Sequence, residues 1–242
     1  MGIKSIPDDA SRRRRFKRRL LRWFRAHGRD LPWRRTRDPY RILVSEVMLQ
    51  QTQVARVEGY WHAFLARFPT LADLARARPA RVREAWAGLG YYRRAANLHR
   101  LAREVVRDRA GHLPRTVPEL RALPGIGPYT AGAVASFAYE LNAPAIDTNV
   151  HRVLRRVFHP RLRAGAAGMR RLDAMARALV PRRGADAWIT NQALMELGAL
   201  VCTARVMHCD RCPVAPVCRT AASQRGASAT RATARSRSRG ST

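Results

Sequence analysis

The chain has 242 residues, 46% of them hydrophobic, and carries 47 Lys and Arg against 17 Asp and Glu, a net charge of +30. This length suffices to bury a core, as one compact domain or two small lobes. No apolar run approaches the ~18 residues of a membrane span, and the N-terminus lacks the apolar stretch of a secretory signal. The basic excess favours a polyanionic partner, nucleic acid first, over a merely solvated basic surface.

The sequence predicts an all-α protein with no alternating strand pattern. Residues 1–10 are polar and are predicted to be flexible. Residues 11–201 are predicted to form two helical lobes with a cleft between them, the chain crossing near residues 115–120. Helical periodicity and helix-start signals predict helices at residues 11–27, 40–57, 80–86, 93–109, 129–138, 148–158, 170–180 and 185–201.

Glu46 lies in the helix predicted at residues 40–57, among apolar residues that make this helix largely buried. An ionised carboxylate among apolar neighbours must be paired, open to a cleft or shifted in pKa. A salt bridge to one of the many arginines would satisfy it. A general acid is the alternative, because desolvation raises a carboxyl pKa toward the range in which the group donates a proton.

The stretch Leu123-Pro-Gly-Ile-Gly-Pro-Tyr-Thr-Ala-Gly132 predicts two helices joined by a tight turn. Gly125 and Gly127 can adopt a positive φ without a Cβ clash. Backbone amides at the start of the second helix suit a phosphate oxygen. Asp147 follows twenty residues after Gly127, at the start of another helix. Taken singly, the turn could be an ordinary helical corner and Asp147 an ordinary N-cap.

All four cysteines lie close together, as Cys202-x6-Cys209-x2-Cys212-x5-Cys218. This clustering argues against a disulfide framework in a chain without an export signal. Four thiolates suit a structural zinc ion or a [4Fe–4S] cluster. Zinc ribbons usually show two C-x2–4-C pairs, and only Cys209 and Cys212 form one. Beyond the cysteines, the Ser, Thr, Ala, Gly and Arg of residues 219–242 predict a disordered basic tail.

Together these motifs resemble the MutY-type adenine DNA glycosylases, in the helix-hairpin-helix, Gly/Pro…Asp superfamily that includes endonuclease III. The resemblance covers about residues 20–218, and the motifs come in the family's order. The cysteine spacing resembles the superfamily's cluster loop, so a [4Fe–4S] cluster is expected at residues 202–218. The matching stretches are residues 31–34, 45–54, 88–92, the hairpin near 118–138, 147–149, 191–192 and the four cysteines.

The resemblance implies removal of adenine mispaired with 8-oxoguanine or guanine in duplex DNA. Glu46 would protonate the flipped adenine at N7, and Asp147 would stabilise an oxocarbenium-like sugar until water completes the hydrolysis. Tyr129 and Asn149 are expected to position Asp147 and the sugar. Trp33, Arg34 and Gln192 match family residues around the adenine, and Gln51 and Tyr91 match residues wedged into the duplex. The amides of Gly125 and Gly127 are expected to bind a phosphate, with a monovalent cation as a candidate bridge.

Tyr129 stands where bifunctional members carry the lysine of GxGxKT, whose amine forms a Schiff base. A phenol cannot do that chemistry, so a monofunctional glycosylase, or at most weak lyase activity, is expected. Many members continue into a NUDIX-like domain that recognises 8-oxoguanine; this chain is expected to lack it and to discriminate less. A monomer in the cytoplasm, on the nucleoid if bacterial, without membrane association, is expected.

Two other functions stay open on the sequence. A thymine or uracil mismatch glycosylase would share the hairpin, Asp147 and the cysteines, and Gln192 with the LQQTQ run favours adenine instead. A non-catalytic DNA-binding iron–sulfur protein would need neither Glu46 nor Asp147.

Overall fold

The computed structural model describes residues 9–181 and 184–224. In these residues the regular structure is eleven α-helices, two short 3-10 turns, a last helical segment at residues 219–224, and one isolated bridge between Cys202 and Met207. The predicted all-α class is thereby confirmed. The helices are α1 (Asp9–His27), α2 (Pro39–Met48), α3 (Val54–Arg67), α4 (Leu71–Arg76), α5 (Pro79–Ala85), α6 (Arg93–Arg109), α7 (Val117–Ala122), α8 (Pro128–Phe137), α9 (Thr148–Phe158), α10 (Ala166–Leu179) and α11 (Gly184–Leu200).

Both ends of the described chain are more helical than the sequence indicated. The first helix begins at Asp9, inside the segment predicted to be flexible, and residues 219–224 are helical although they belong to the predicted basic tail. The other residues of those two predicted segments, 1–8 and 225–242, lie outside the described residues.

The helix predicted over residues 40–57 is wrong, because it is two helices. Asp38 caps α2 by accepting hydrogen bonds from the backbone N–H groups of Tyr40 and Arg41 at 2.8 and 3.1 Å. The helix then ends at Met48, and α3 starts only at Val54. No Gly or Pro marks this break in the sequence.

The chain forms two compact units. One consists of residues 29–145 and 181–188, and the other of the residues up to Gly28, 146–180 and those from 189 onward. The first helix therefore belongs with the C-terminal helices. The crossing predicted near 115–120 is wrong, since the chain changes units after Gly28 and after Ala145.

In the unit of residues 29–145 and 181–188, α2 packs against α8. Residues 130–137 of α8 are buried on every side, as are residues 42–48 of α2. Small side chains allow close approach here: a Cβ on Gly132 would lie 2.4 Å from the carbonyl oxygen of Pro144. If α7 and α8 belonged to different units, the apolar helix α8 would be exposed. This explains why both helices belong to one unit.

In the other unit, α9 packs against α10, and α1 packs against the 3-10 turn Ala215–Val217. The rings of Phe16 and Phe158 meet edge to face, with centroids 5.1 Å apart. Among the described residues, no helix is both long and apolar enough to cross a membrane.

Candidate active site and cysteine loop

Glu46 and Tyr129 are in direct contact within the unit of residues 29–145 and 181–188. Glu46 lies on α2 with only 3% of its surface exposed, and Tyr129 is the second residue of α8. The hydroxyl group of Tyr129 donates a hydrogen bond of 2.7 Å to Oε2 of Glu46. The bond orients the carboxyl group and gives a buried acid a polar partner.

Asp147 belongs to the other unit and caps the N-terminus of α9, which confirms the predicted N-cap. Its Oδ1 accepts a hydrogen bond of 2.7 Å from the backbone N–H of Val150, and its Oδ2 accepts one of 2.7 Å from Nδ2 of Asn149. These donors and the positive end of the helix dipole hold the carboxylate in one orientation.

Asn149 is itself held by Arg152 on the same face of α9. Its Oδ1 accepts a hydrogen bond of 2.6 Å from Nη2 of Arg152. The same guanidinium donates to the carbonyl oxygens of Gly198 and Cys202, both at 2.8 Å. Burial lowers the pKa of Arg152, but a guanidinium stays charged. A chain of hydrogen bonds therefore leads from Asp147 to the first cysteine.

Arg156, one turn further along α9, binds the cysteine loop itself. Its guanidinium donates to the carbonyl oxygens of Thr203 and Ala204 at 2.6 and 3.2 Å. Its own carbonyl oxygen accepts a hydrogen bond of 2.6 Å from Oγ1 of Thr220. The helix that Asp147 caps thus anchors the loop at both ends.

The four cysteines form no disulfide with one another and line one cavity, together with apolar side chains of α9 and α11. In residues 9–181 and 184–224, no group of three or more His, Cys, Asp or Glu side chains is arranged to hold a metal ion. Burial raises the pKa of Cys212 to about 11 and also raises the pKa of Cys218. Four thiols on one cavity supply the donor type of a thiolate-ligated centre, and each would lose its proton on binding the metal.

The helix-hairpin-helix predicted near 118–138 is present as α7, a turn at residues 123–127, and α8. Gly125 has φ +77°, and a Cβ there would lie 2.7 Å from that of Asn97, so glycine is required. Gly127 differs, because its φ is −87° and the space around it is open. Among the described residues, neither glycine amide donates to a backbone carbonyl of a turn, loop or cap, and an amide of this kind suits a phosphate oxygen.

Gln51 and Tyr91, the two predicted wedge residues, are exposed at left-handed backbone positions. Their φ angles are +57° and +47°, and Tyr91 is 62% exposed. For residues other than glycine this conformation costs about 1–2 kcal/mol each. It persists only where the surrounding structure imposes it, and it is frequent at functional sites.

The three residues predicted to surround the adenine are ordered by contacts of their own. Trp33 is buried, with its ring edge to face with that of Trp61 at 6.0 Å between centroids. The guanidinium of Arg34 donates to the carbonyl oxygen of Arg29 at 2.7 Å. Gln192 is buried on α11. Their contact with a base stays a prediction.

The sequence prediction missed two arginines with structural contacts, Arg152, which holds Asn149, and Arg94, which binds backbone carbonyl groups at the end of α2. Arg94 occupies the apolar stripe of α6, four residues before Leu98 and seven before Leu101. A charged residue at a core position is unusual enough to be noticed. Arg152 has no such mark, because it is one of many arginines in the chain.

Known proteins match this chain over most of its length. The profile of the HhH-GPD superfamily base excision DNA repair proteins matches residues 44–172. An adenine DNA glycosylase of Mycolicibacterium smegmatis is 49% identical over 196 residues, covering 81% of this chain and 66% of that protein. The human adenine DNA glycosylase is 46% identical over 220 residues, covering 84% of this chain and 39% of that protein. The chain thus spans about two thirds or less of these relatives.

Solved structures share the fold. A thermostable thymine-DNA glycosylase superposes with a TM-score of 0.81 and 28% identity, over 90% of this chain and 100% of that one. An endonuclease III–DNA complex superposes with a TM-score of 0.74 over 87% of this chain and 96% of that one, but at 24% identity it supports the fold alone. The resemblance to the MutY type inferred from the sequence is confirmed, and the chain belongs to the HhH-GPD superfamily of base excision DNA repair proteins.

Proposed function

We propose that the protein is a monofunctional DNA glycosylase that hydrolyses the N-glycosidic bond of adenine mispaired with 8-oxoguanine or guanine. The contact between Tyr129 and Glu46 carries this proposal, because it gives a buried acid a fixed orientation. The identity of 49% and 46% to adenine DNA glycosylases supports adenine as the base. The partner is duplex DNA, to which the net charge of +30 is suited.

Glu46 acts as the general acid. Adenine is a poor leaving group until a ring nitrogen is protonated, and Glu46 delivers its proton to N7 of the flipped base. Burial disfavours the ionised form of a carboxyl group, and this preference helps an acid to hold its proton near neutral pH. The Tyr129 hydroxyl fixes the direction of transfer.

Asp147 stabilises the positive charge that develops on the sugar when the bond to the base breaks. Its carboxylate is already oriented by Val150 and Asn149, so little reorganisation is needed in the transition state. A water molecule then adds at the anomeric carbon and completes the hydrolysis. Because Tyr129 has no amine, no Schiff base forms and the DNA strand stays intact.

We further propose that the four cysteines hold a [4Fe–4S] cluster, which when bound would cross-link the loop against α9 and α11. The four thiols on one cavity and the anchoring by Arg156 support this. Iron and acid-labile sulfide analysis of the protein as isolated tests it. Zinc without sulfide would establish the alternative metal. We also propose a monomer, with a cytoplasmic, nucleoid-associated location in a bacterium.

A thymine or uracil mismatch glycosylase is the second candidate, favoured by the TM-score of 0.81 to a thymine-DNA glycosylase. Its identity of 28% is well below that of the adenine glycosylases. The two candidates differ in the base released, so one assay separates them.

The test is base release under single-turnover conditions from duplexes with A·8-oxoguanine, A·G, G·T and G·U. Each reaction is developed with and without alkali. We expect adenine release, with strand cleavage only after alkali. Release of thymine or uracil would favour the second candidate, and no release from any duplex would leave a DNA-binding protein without glycosylase activity.

Glu46→Gln is the matching variant. It keeps the size of the side chain but has no acidic proton, so base release is expected to fall at least a thousandfold while duplex binding changes little. Glu58→Gln, at an exposed position of α3, is the control for loss of one carboxylate. Normal base release by Glu46→Gln would remove Glu46 from the proposed role.

A further inference from the structure

Arg94 joins two loops, each of which presents an exposed side chain in a left-handed conformation. It lies in the first turn of α6 and is 9% exposed. One nitrogen, Nη1, donates to the carbonyl oxygens at the end of α2 and in the turn that follows. These acceptors are Val47 at 2.9 Å, Met48 at 2.8 Å and Gln50 at 2.6 Å.

The other terminal nitrogen, Nη2, reaches the turn that carries Tyr91. It donates to the carbonyl oxygens of Leu89 and Gly90 at 3.1 and 3.2 Å. It also donates to Oγ1 of Thr52 at 3.2 Å. A single guanidinium therefore ties residues 47–52 to residues 89–90.

The charge of Arg94 is balanced by dipoles and rings. The carbonyl groups of Val47 and Met48 lie at the negative end of α2. The guanidinium lies over the rings of Trp86 and Tyr91, at 5.4 and 5.6 Å from their centroids. In the described residues no carboxylate pairs with it and its Nε has no acceptor. Lysine cannot replace this arrangement, because its ammonium lacks the planar fork and the stacking face.

We propose that Arg94 is a positioning residue that fixes the spacing between Gln51 and Tyr91, so that both side chains contact the duplex together. This inference rests on the proposed function and on the expectation, from the family resemblance, that these two residues enter the DNA beside the flipped base. Both are held in a conformation that a free loop would leave. Without Arg94 the two turns move independently, and DNA binding must order each of them separately.

The first test is hydrogen exchange of the whole protein, which needs no substrate. In Arg94→Lys, amides of residues 49–53 and 88–92 should exchange at least tenfold faster, while those of α9 keep their protection. Arg103→Lys, at an exposed position of the same helix, is the control and should match the unmodified protein. Unchanged protection in both turns of Arg94→Lys would overturn the inference.

The second test is a double-mutant cycle on base release from the A·8-oxoguanine duplex. Arg94→Lys should slow release at least tenfold in the otherwise unmodified protein. In a Gln51→Ala, Tyr91→Ala background the same change should slow release no more than twofold, because the residues through which it acts are gone. An equal loss in both backgrounds would show a general structural role and would also overturn the inference.

A milder variant keeps the test open if Arg94→Lys does not fold. Thr52→Val removes one of the six acceptors and should speed exchange in residues 49–53 and 88–92 together. Faster exchange in residues 49–53 alone would show that the turns are not coupled. If the unmodified protein releases no base at all, the proposed function fails, whereas the exchange experiment still decides whether Arg94 couples the two turns.

Discussion

The hydroxyl group of Tyr129 and the carboxyl group of Glu46 are joined by a hydrogen bond of 2.7 Å across 83 residues of sequence. The contact exists because α8, which carries the tyrosine, packs against α2, which carries the glutamate. The position that distinguishes monofunctional from bifunctional members of the superfamily thus touches the proposed general acid. In the proposed mechanism Tyr129 offers no amine for a Schiff base and also orients Glu46.

Tyr129→Phe should slow single-turnover base release about tenfold, equivalent to about 1.4 kcal/mol in the transition state. The phenyl ring keeps the packing, but the donor to Glu46 is lost. Tyr139→Phe is the control, because it removes a hydrogen bond of 2.8 Å to the carbonyl oxygen of Leu113. The control should keep its rate. A rate for Tyr129→Phe equal to that of the unmodified protein would contradict the orienting role.

Gly198→Ala should lower both base release and the melting temperature. In most helices this change stabilises by about 1 kcal/mol. Here the new Cβ would lie 2.6 Å from that of Asn149, so the amide that holds Asp147 must move. Gly59→Ala in α3, where no atom lies within 4 Å of the added carbon, should be stabilising. If both variants gain stability and activity is retained, Asn149 is not constrained in this way.

The two hairpin glycines should respond differently to alanine. Gly125→Ala should destabilise the protein by about 2 kcal/mol or more, because a positive φ and the Cβ of Asn97 both oppose it. Gly127→Ala should fold normally but bind duplex DNA more weakly, since its added methyl group meets only the approaching phosphate. Calorimetry and fluorescence anisotropy measure the two effects. Equal DNA affinity for Gly127→Ala and the unmodified protein would indicate that no backbone approaches there.

His99 should make stability depend on pH. Burial lowers the pKa of this side chain below its ordinary value of 6.5. As the pH falls below 6.5, His99 therefore takes up a proton in the unfolded chain before it does so in the folded chain. The contribution of neutral His99 to the free energy of unfolding is complete above pH 6.5 and is lost as the pH falls through the folded pKa. Urea unfolding at pH 7.5 and 5.5 should show a larger loss for the unmodified protein than for His99→Phe. A loss of the same size in both would exclude His99 as a source.

Local signals in the sequence determined much of this protein. The caps at Asp38 and Asp147 and the turn with a positive φ at Gly125 all act over a few residues. The order of motifs and the cysteine spacing then identified the superfamily. Such features can be inferred because the interacting groups are neighbours in the chain.

The tertiary structure alone decided which distant groups meet. No Gly or Pro marks the break after Met48 in the sequence. The break depends on carbonyl groups that accept hydrogen bonds from Arg94, which lies 46 residues after Met48. The contact of Tyr129 with Glu46, and that of Arg152 with Cys202, depend on how the helices pack. Periodicity tells which face of a helix is buried, but not which other helix covers it, because many pairings bury equal apolar area.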